Sequence, residues 1–411
     1  MKTLIHQIKG LVKAEEKPEE KRSGVDMQDL NVIEDAFLLM EGDKILDFGK
    51  TENANVEAAD VVINAKGKFV FPSWCDSHTH IVYAGSRELE YVDRIRGLSY
   101  EDIAKRGGGI LNSSKKLNET SEQSLLEQAL QRCEEIMRLG TGAVEIKSGY
   151  GLNTEAELKM LRVIREIKKM SPMTVKSTFL GAHSIPADFR ENRRGYIEQI
   201  KKEMLPAIKQ EKLADYIDVF CDQGFFTPEE TEEILVAGAD IGLQAKIHAN
   251  ELAFSGGVQV GVKQNALSVD HLECVGDDEI KALKNSDTMA TLLPGTAFFL
   301  DIDYAPARKM IDAGLAVALA SDYNPGSSPS GNMPFVLSLA CAKMKMLPAE
   351  AINAATINGA YAMGLSDQLG SITKGKKANL FITREMPSVE FLPYAYGSNL
   401  IESVILNGRV Q

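Results

Sequence analysis

Two of the six histidines in this chain, His78 and His80, stand one residue apart at the end of an apolar stretch. The surrounding sequence, GKFVFPSWCDSHTH, is typical of a short strand bounded by a glycine and by polar residues. Side chains alternate between the faces of a strand, so both imidazoles point to the same side. Two neutral imidazoles that converge on one point suit a divalent metal ion. An isolated pair of this kind is more often simply solvated or hydrogen-bonded at a loop mouth, so the rest of the chain must decide.

Other residues able to do chemistry also follow β-rich runs. His183, His248 and His271 each stand at the end of such a run, and Asp322 ends the last one. Each histidine alone is more often a satisfied polar residue than a ligand. Five of the six histidines occupy such positions, however, and their joint placement favours one shared site.

Eight β-rich runs alternate with helical stretches and must position these side chains. The runs cover residues 69–76, 142–149, 174–183, 216–222, 241–248, 266–272, 288–295 and 316–322. The stretches between them have apolar residues at three- and four-residue spacing, and TPEE at 227–230 marks one helix start. Eight strands, each followed by a helix, predict a TIM (β/α)8 barrel, whose chemistry lies at the carboxyl ends of the strands.

The two ends of the chain have a different pattern. Residues 1–68 contain two strand-like runs around the turn EGDK, and residues 368–411 end in VILNGRV, where NG marks a tight hairpin. Both flanks need a partner to bury one face of their strands. We therefore expect a small β-sandwich-like domain built from both chain ends, with the barrel domain at 69–367 inserted between them.

The composition and net charge limit the class of protein to which this chain can belong and the partners that it can bind. The chain has 411 residues, 44% hydrophobic and 25% charged, as in soluble globular proteins. Its net charge of -12 argues against nucleic acid or an anionic membrane as a partner, but a local arginine can still bind an anionic substrate. The five cysteines are scattered and never in C-x-x-C spacing, which fits a reducing compartment. With no signal-peptide core and no membrane-spanning run, we expect a cytoplasmic protein.

The arrangement of H-x-H on strand one, His on strands five and six and Asp on strand eight resembles the amidohydrolase superfamily. Bimetallic members carry a carboxylated lysine at the end of strand four, where YIDVFCDQGFF offers none. The resemblance therefore implies one divalent or trivalent metal ion per chain, zinc or iron. Its ligands would be His78, His80, His248 and Asp322, with water completing the shell.

Within the superfamily, several blocks are similar to the imidazolonepropionase family over nearly the whole chain. These blocks are DSHTHIVYAGSRELE, RGGGI, EIKSGYGL, FLGAHSIP, KIHANEL, SVDHLE and ASDYNPGS. The resemblance implies hydrolysis of the cyclic amide of 4-imidazolone-5-propanoate to N-formimidoyl-L-glutamate, a step of histidine degradation, by a metal-activated water. It also implies a homodimer. The RGGGI stretch at 106–110 is either a lid segment over the site or a turn.

The resemblance also implies a role for each site residue. Glu251 would accept the water proton and pass it to the leaving nitrogen, His271 would donate to the oxyanion, and Asp322 would share the proton traffic. Arg87 can offer the substrate carboxylate a bidentate contact, although a lone loop arginine is usually a surface residue. The remaining substrate-binding residues would be Tyr150, His183, Glu251, Asn324, Gly326 and Ser327.

Two alternatives remain open at this point. The first keeps the fold but deaminates an aminated heterocycle, which Arg87 and the loop at 324–327 disfavour because they suit an anionic side arm. The second is a non-catalytic homologue, and such proteins commonly lose ligands, whereas all four proposed ligands are present here.

Overall fold

The structure is a computed structural model that describes residues 1–98 and 108–411. Its strands are β1 (Lys2–Leu11), β2 (Ile33–Glu41), β3 (Lys44–Lys50), β4 (Val61–Asn64), β5 (Phe69–Pro72), β6 (Trp74–Thr79), β7 (Thr141–Lys147), β8 (Thr174–Ala182), β9 (Tyr216–Cys221), β10 (Gln244–Ala249), β11 (Ser268–His271), β12 (Met289–Leu292), β13 (Val317–Leu319), β14 (Leu380–Thr383), β15 (Ile401–Leu406) and β16 (Arg409–Val410). Among the described residues they form two eight-stranded sheets.

The α-helices of the described residues lie mainly around the second sheet. They are α1 (Glu88–Ile95), α2 (Ile110–Glu119), α3 (Glu122–Arg138), α4 (Thr154–Met170), α5 (Arg193–Gln199), α6 (Leu205–Glu211), α7 (Pro228–Ala239), α8 (Gly257–Lys263), α9 (Asp277–Lys284), α10 (Pro294–Leu300), α11 (Ala307–Asp312), α12 (Met333–Met344), α13 (Pro348–Ala355), α14 (Ile357–Tyr361) and α15 (Phe391–Tyr394). In α7 the predicted capping box is present, since the Thr227 side chain accepts from the Glu230 amide and the Glu230 side chain accepts from the Thr227 amide. No helix within 1–98 or 108–411 is long and apolar enough to cross a membrane.

The parallel sheet runs in chain order from β6 to β13 and closes into a barrel. Two hydrogen bonds at the carboxyl ends of β6 and β13 close the ring: the Asp322 amide, just after β13, donates to the His78 carbonyl at 3.0 Å, and the His80 amide, just after β6, donates to the Tyr323 carbonyl at 2.9 Å. Because both faces of each strand are covered, most strand residues are buried. The predicted TIM-barrel fold is confirmed.

The other sheet is mixed and takes strands from both ends of the chain, in the order β16-β15-β14-β5-β1-β2-β3, with β4 alongside β1. Its inner face packs apolar side chains from both chain ends, such as Ile8, Leu38 and Leu380. The β3 edge of this sheet contacts the segment just before β14, since the Ile45 amide donates to the Lys376 carbonyl at 2.9 Å. The predicted turns are present: EGDK joins β2 to β3, and NG joins β15 to β16.

One predicted strand proved to be two. The run at 69–76 divides into β5, which pairs with β1 and β14 in the mixed sheet, and β6, which begins the barrel. Pro72 ends β5, and a proline has no amide proton to continue a ladder. The chain changes sheets at this point: the Ser73 amide donates to Asn379, whereas the Trp74 amide donates to Gly140. The domain limits at 68 and 368 stay a prediction.

The RGGGI stretch lies at the edge of the described residues. Gly107 falls outside them, and Gly109 directly precedes α2 with a φ of 83°. Whether this segment covers the barrel mouth stays a prediction.

Candidate active site

The barrel mouth holds a buried group of metal-ligating atoms. The Nε2 atoms of His78 and His80 lie 3.3 Å apart, and each lies 3.5 Å from Oδ1 of Asp322. Ligand atoms of His78, His248 and His271 also lie within 4.8 Å of one another. The strand ends predicted to meet therefore do meet, and lone pairs from several elements converge on one point.

Two carboxylates fix the orientation of two of these imidazoles. Oδ2 of Asp270 lies 2.7 Å from Nδ1 of His78, and Oδ2 of Asp218 lies 2.9 Å from Nδ1 of His248. A neutral imidazole that donates from Nδ1 keeps its Nε2 lone pair for a metal ion, as histidine ligands generally do. Burial, assisted by the charge of Lys147, holds the pKa of His78 well below its ordinary value, so this histidine is neutral.

The same group of atoms fits a bound cation. Nε2 of His248 is buried and has no hydrogen-bond partner among the described residues. Burial also holds the pKa of His80 well below its usual range. Unpaired buried lone pairs are costly unless something binds them. Neutral imidazoles with one carboxylate form a donor set that suits zinc or iron. The residues present therefore fit one metal ion.

A buried ion network lies directly beneath the histidines. Nζ of Lys147 lies 2.7 Å from Oε1 of Glu145, 2.8 Å from Oδ2 of Asp218 and 3.6 Å from Oδ2 of Asp270. The last two oxygens are the ones that hold His248 and His78. Burial alone would lower the pKa of Lys147, but the surrounding carboxylates, Asp218 foremost, outweigh it and raise the pKa. One ammonium group thus links the two carboxylates that orient the histidines.

Glu251 and His271 stand side by side at the mouth. Oε2 of Glu251 lies 3.7 Å from Nε2 of His271, and Oε2 of Glu273 lies 3.6 Å from Nδ1 of His271. Burial raises the pKa of Glu251 to about 7. For His271, burial would lower the pKa, but the adjacent carboxylates of Glu251 and Glu273 raise it to about 10. This pair can therefore hold and exchange a proton near neutral pH.

His271 and Asp322 both have left-handed backbone conformations. Their φ angles are 86° and 53°, a region that residues with a side chain rarely adopt. Such strain costs about 1–3 kcal/mol at each residue and persists only where the surroundings enforce it. For Asp322 the Thr296 hydroxyl, which donates to Oδ2 at 2.6 Å, is part of those surroundings.

His183 and Tyr150 form one wall of the site. Nδ1 of His183 lies 3.0 Å from the Gly149 carbonyl, and burial lowers the pKa of His183 to about 3. A neutral His183 therefore donates from Nδ1 and presents Nε2 as an acceptor. The Tyr150 ring is buried, with its centroid 5.5 Å from that of His183 and 5.9 Å from that of His80.

These side chains line one cavity of about 450 Å³ above the histidine group. The predicted residues on its wall are His80, Arg87, Tyr150, His183, His248, Glu251, His271, Asp322, Asn324, Gly326 and Ser327. His78 is fully buried at the base of the group. The structure therefore brings together the whole predicted site.

The cavity wall also carries two guanidinium groups, those of Arg87 and Arg94. Arg87 is paired with Glu90, whose Oε2 accepts from Nε at 2.8 Å and lies 2.6 Å from Nη2. Arg94, one helical turn beyond Glu90, donates from Nη2 to the Gly326 carbonyl at 3.1 Å. Neither Glu90 nor Arg94 was predicted from the sequence. Their spacing of three and seven residues from Arg87 on a helix was the available signal.

The loop at 324–327 is organised by its own side chains. Oδ1 of Asn324 accepts from the amides of Gly326 and Ser327 at 2.7 and 2.8 Å. These two backbone amides are thus already used within the loop. Gly326 also has a steric role, because a Cβ atom built on it would lie 2.9 Å from Cζ of Arg87 and closer still to Nη1.

The amidohydrolase family model matches residues 69–410. The chain is 60% identical over 410 residues to an imidazolonepropionase of Flavobacterium johnsoniae and 56% identical over 410 residues to one of Christiangramia forsetii, each over 100% of both chains. Among solved structures, a triazine hydrolase variant superposes with a TM-score of 0.76 at 17% identity, covering 100% of this chain and 94% of that one. An adenosine deaminase from Xanthomonas campestris, solved with bound zinc, gives 0.68 at 16% identity, over 99% and 92%. The two structures share the fold, and the chain belongs to the amidohydrolase family.

Proposed function

We propose that this amidohydrolase opens the ring of 4-imidazolone-5-propanoate with water and releases N-formimidoyl-L-glutamate. The observation that carries the proposal is one cavity whose wall includes metal-ligating side chains, among them His80, His248 and Asp322, together with the guanidinium groups of Arg87 and Arg94. A substrate with a cyclic amide at one end and a carboxylate at the other matches that polarity. The relatives at 56–60% identity carry the name of this activity.

We assign one metal ion, zinc or iron, to His78, His80, His248 and Asp322. When bound, such an ion lowers the pKa of a coordinated water toward ~7 and polarises a carbonyl group. Asp270 and Asp218 hold His78 and His248, respectively, in the Nδ1–H tautomer, which leaves each Nε2 lone pair available to such an ion. The donor set accepts either metal, so metal analysis must distinguish them.

Glu251 moves the proton in this proposal. Its carboxylate accepts a proton from the attacking water, and the pKa near 7 that burial gives it suits neutral pH. The hydroxyl adds to the ring carbonyl carbon, the ring C–N bond breaks, and Glu251 returns the proton to the leaving nitrogen. His271, 3.7 Å from Glu251, donates to the carbonyl oxygen as negative charge develops there. Asp322 takes part in these proton transfers in addition to its role as a metal ligand.

Different parts of the cavity wall bind different parts of the substrate. His183 accepts a hydrogen bond from a ring N–H, because its Nε2 bears the lone pair and its neutral ring cannot attract a carboxylate. Tyr150 packs against the ring. Arg87, Arg94 and the Ser327 hydroxyl bind the propanoate, and Asn324 and Gly326 hold that loop in place.

Metal analysis combined with a substrate assay tests the proposal. We expect about one equivalent of zinc or iron per chain and turnover of 4-imidazolone-5-propanoate. Guanine, cytosine and related amines serve as the comparison set. Ammonia release from an amine without turnover of the imidazolone would instead establish a deaminase. Absence of metal, with no activity restored by zinc or iron, would indicate a non-catalytic homologue.

We further propose that the enzyme is a cytoplasmic homodimer. Light scattering coupled to gel filtration tests the oligomeric state, and fractionation of cells tests the location.

A further inference from the structure

Glu157 is a fully buried carboxylate outside the catalytic group. It lies in the first turn of α4, and its side chain turns back to the loop that joins β7 to that helix. Oε1 accepts from the amides of Gly151 and Leu152 at 2.7 and 3.0 Å, and Oε2 accepts from the amide of Gly149 at 3.1 Å. One carboxylate thus satisfies three backbone donors of one short loop.

The loop needs this support because its conformation is unusual. Gly149 and Leu152 have φ angles of 112° and 57°. Leucine disfavours the left-handed region and adopts it only where neighbouring groups enforce it. The three charge-assisted hydrogen bonds to Glu157 are stronger than neutral ones, so this carboxylate is a suitable source of that enforcement.

The same loop carries two parts of the proposed substrate wall. Tyr150 lies between the amides that Glu157 binds, and its ring lines the cavity. The Gly149 carbonyl accepts from Nδ1 of His183 at 3.0 Å and so determines which His183 nitrogen faces the cavity as an acceptor. Displacement of the loop would move Tyr150 and, at the same time, break the hydrogen bond to Gly149 that fixes the tautomer of His183.

We propose that Glu157 is a positioning residue that sets substrate affinity by fixing Tyr150 and the acceptor orientation of His183. The proposal deepens the function proposed above and rests on it for the identity of the substrate. Glu157 contacts no residue of the metal group, so it should govern binding of the ring and leave metal binding unchanged.

The test compares Glu157→Gln with Glu166→Gln in the full-length, metal-loaded enzyme. Glutamine keeps the shape but places an NH2 group against at least one backbone N–H, so two donors oppose each other. Glu166 is the matched control, because it lies on the same helix and is paired at the surface with Lys169 at 2.7 Å. We expect about a tenfold or larger rise in KM for Glu157→Gln, a smaller fall in kcat and full metal content. Glu166→Gln should behave like the wild type.

A double-variant cycle separates positioning from a general loss of structure. If Glu157 acts through His183, the effect of Glu157→Gln on kcat/KM should shrink in a His183→Ala background. The proposal would be overturned if the losses in kcat/KM of Glu157→Gln and His183→Ala simply multiplied in the double variant, or if Glu157→Gln alone lost its metal. Should Glu157→Gln fail to fold, Glu157→Asp retains the charge but not the reach to all three amides. An unchanged KM in a folded variant would refute the role.

A substrate-independent measurement keeps the inference separate from the proposed function. Nitrogen NMR of labelled histidine reports the tautomer of His183 directly. We expect the Nδ1–H tautomer in the wild type and in Glu166→Gln, and a mixture of tautomers in Glu157→Gln. If the imidazolone is not turned over at all, the proposed function fails while this result still decides the role of Glu157. An unaltered His183 signal in Glu157→Gln would contradict it.

Discussion

Gly326→Ala should weaken substrate binding by displacing Arg87 without altering its chemistry. A Cβ atom at this position would lie 2.9 Å from Cζ of Arg87, whereas nonbonded carbons normally rest about 3.5–4.0 Å apart. The guanidinium must therefore retreat by at least about half an ångström to an ångström by the same contact distances. The φ of Gly326 lies outside the left-handed region, so alanine adds no backbone strain of its own.

The size of the effect follows from the contact that is lost. A hydrogen bond to a charged group contributes about 1.5–3 kcal/mol. Since 1.4 kcal/mol corresponds to a tenfold change, kcat/KM should fall by roughly 10- to 100-fold. The change should appear mainly in KM, with kcat and metal content nearly retained, because in this proposal Arg87 binds the propanoate and neither holds the metal nor transfers a proton.

Steady-state kinetics on four proteins checks this explanation: the wild type, Gly326→Ala, Arg87→Ala and the double variant. If the alanine acts by moving Arg87, it should have little further effect once the guanidinium is gone. Arg87→Lys should recover only part of the loss, since an ammonium cannot reproduce two parallel hydrogen bonds. The reasoning is wrong if Gly326→Ala is as active as the wild type, or if its penalty is undiminished in the Arg87→Ala background.

Four further outcomes are expected. Glu251→Gln should keep its metal and its substrate affinity but lose about 100-fold or more in kcat. In the wild type, the rate should rise with pH through about 7, because burial raises the pKa of Glu251 to that value and only the deprotonated carboxylate accepts a proton. Lys147→Met should lower the unfolding free energy by about 3–5 kcal/mol, because buried carboxylates lose their counter-charge; an unchanged urea midpoint relative to a partly exposed control, Lys176→Met, would contradict this. A strong chelator should lower Tm, and added zinc or iron should restore it, since a metal that binds only the folded state stabilises it.

The site was predictable from sequence to the extent that strand ends determine it. Asp322 stands far from His78 and His80 in the chain, but parallel strands in a barrel carry their carboxyl ends to one edge. Recognising the alternation of strands and helices was therefore enough to place them together. The division of the run at 69–76 was harder to predict, because its apolar residues suit either sheet and only the partners of each strand decide.

The buried charged residues beneath the histidines are also visible in the sequence. Glu145 and Lys147 alternate in EIK, and Lys246 and His248 alternate in KIH, within otherwise apolar strands. A strand covered on both faces has no place for charges unless they pair inside the barrel, as they do here. The sequence could predict that such pairs exist. It could not show that Lys147 touches the carboxylates that orient two histidines, because those distances depend on the stagger of neighbouring strands.

The pairing of Arg87 with Glu90 changes what a simple deletion of the arginine would measure. Arg87→Ala removes a substrate contact and also leaves Glu90, whose side chain is only 13% exposed, as an unpaired anion in a cavity meant for a carboxylate. The measured loss therefore contains repulsion as well as the missing contact. Arg87→Ala combined with Glu90→Gln removes both charges, and we expect it to bind substrate more tightly than Arg87→Ala alone. If the double variant is no better, Glu90 turns away from the substrate when Arg87 is absent, and Arg94 is the guanidinium group that remains on the described wall of the cavity.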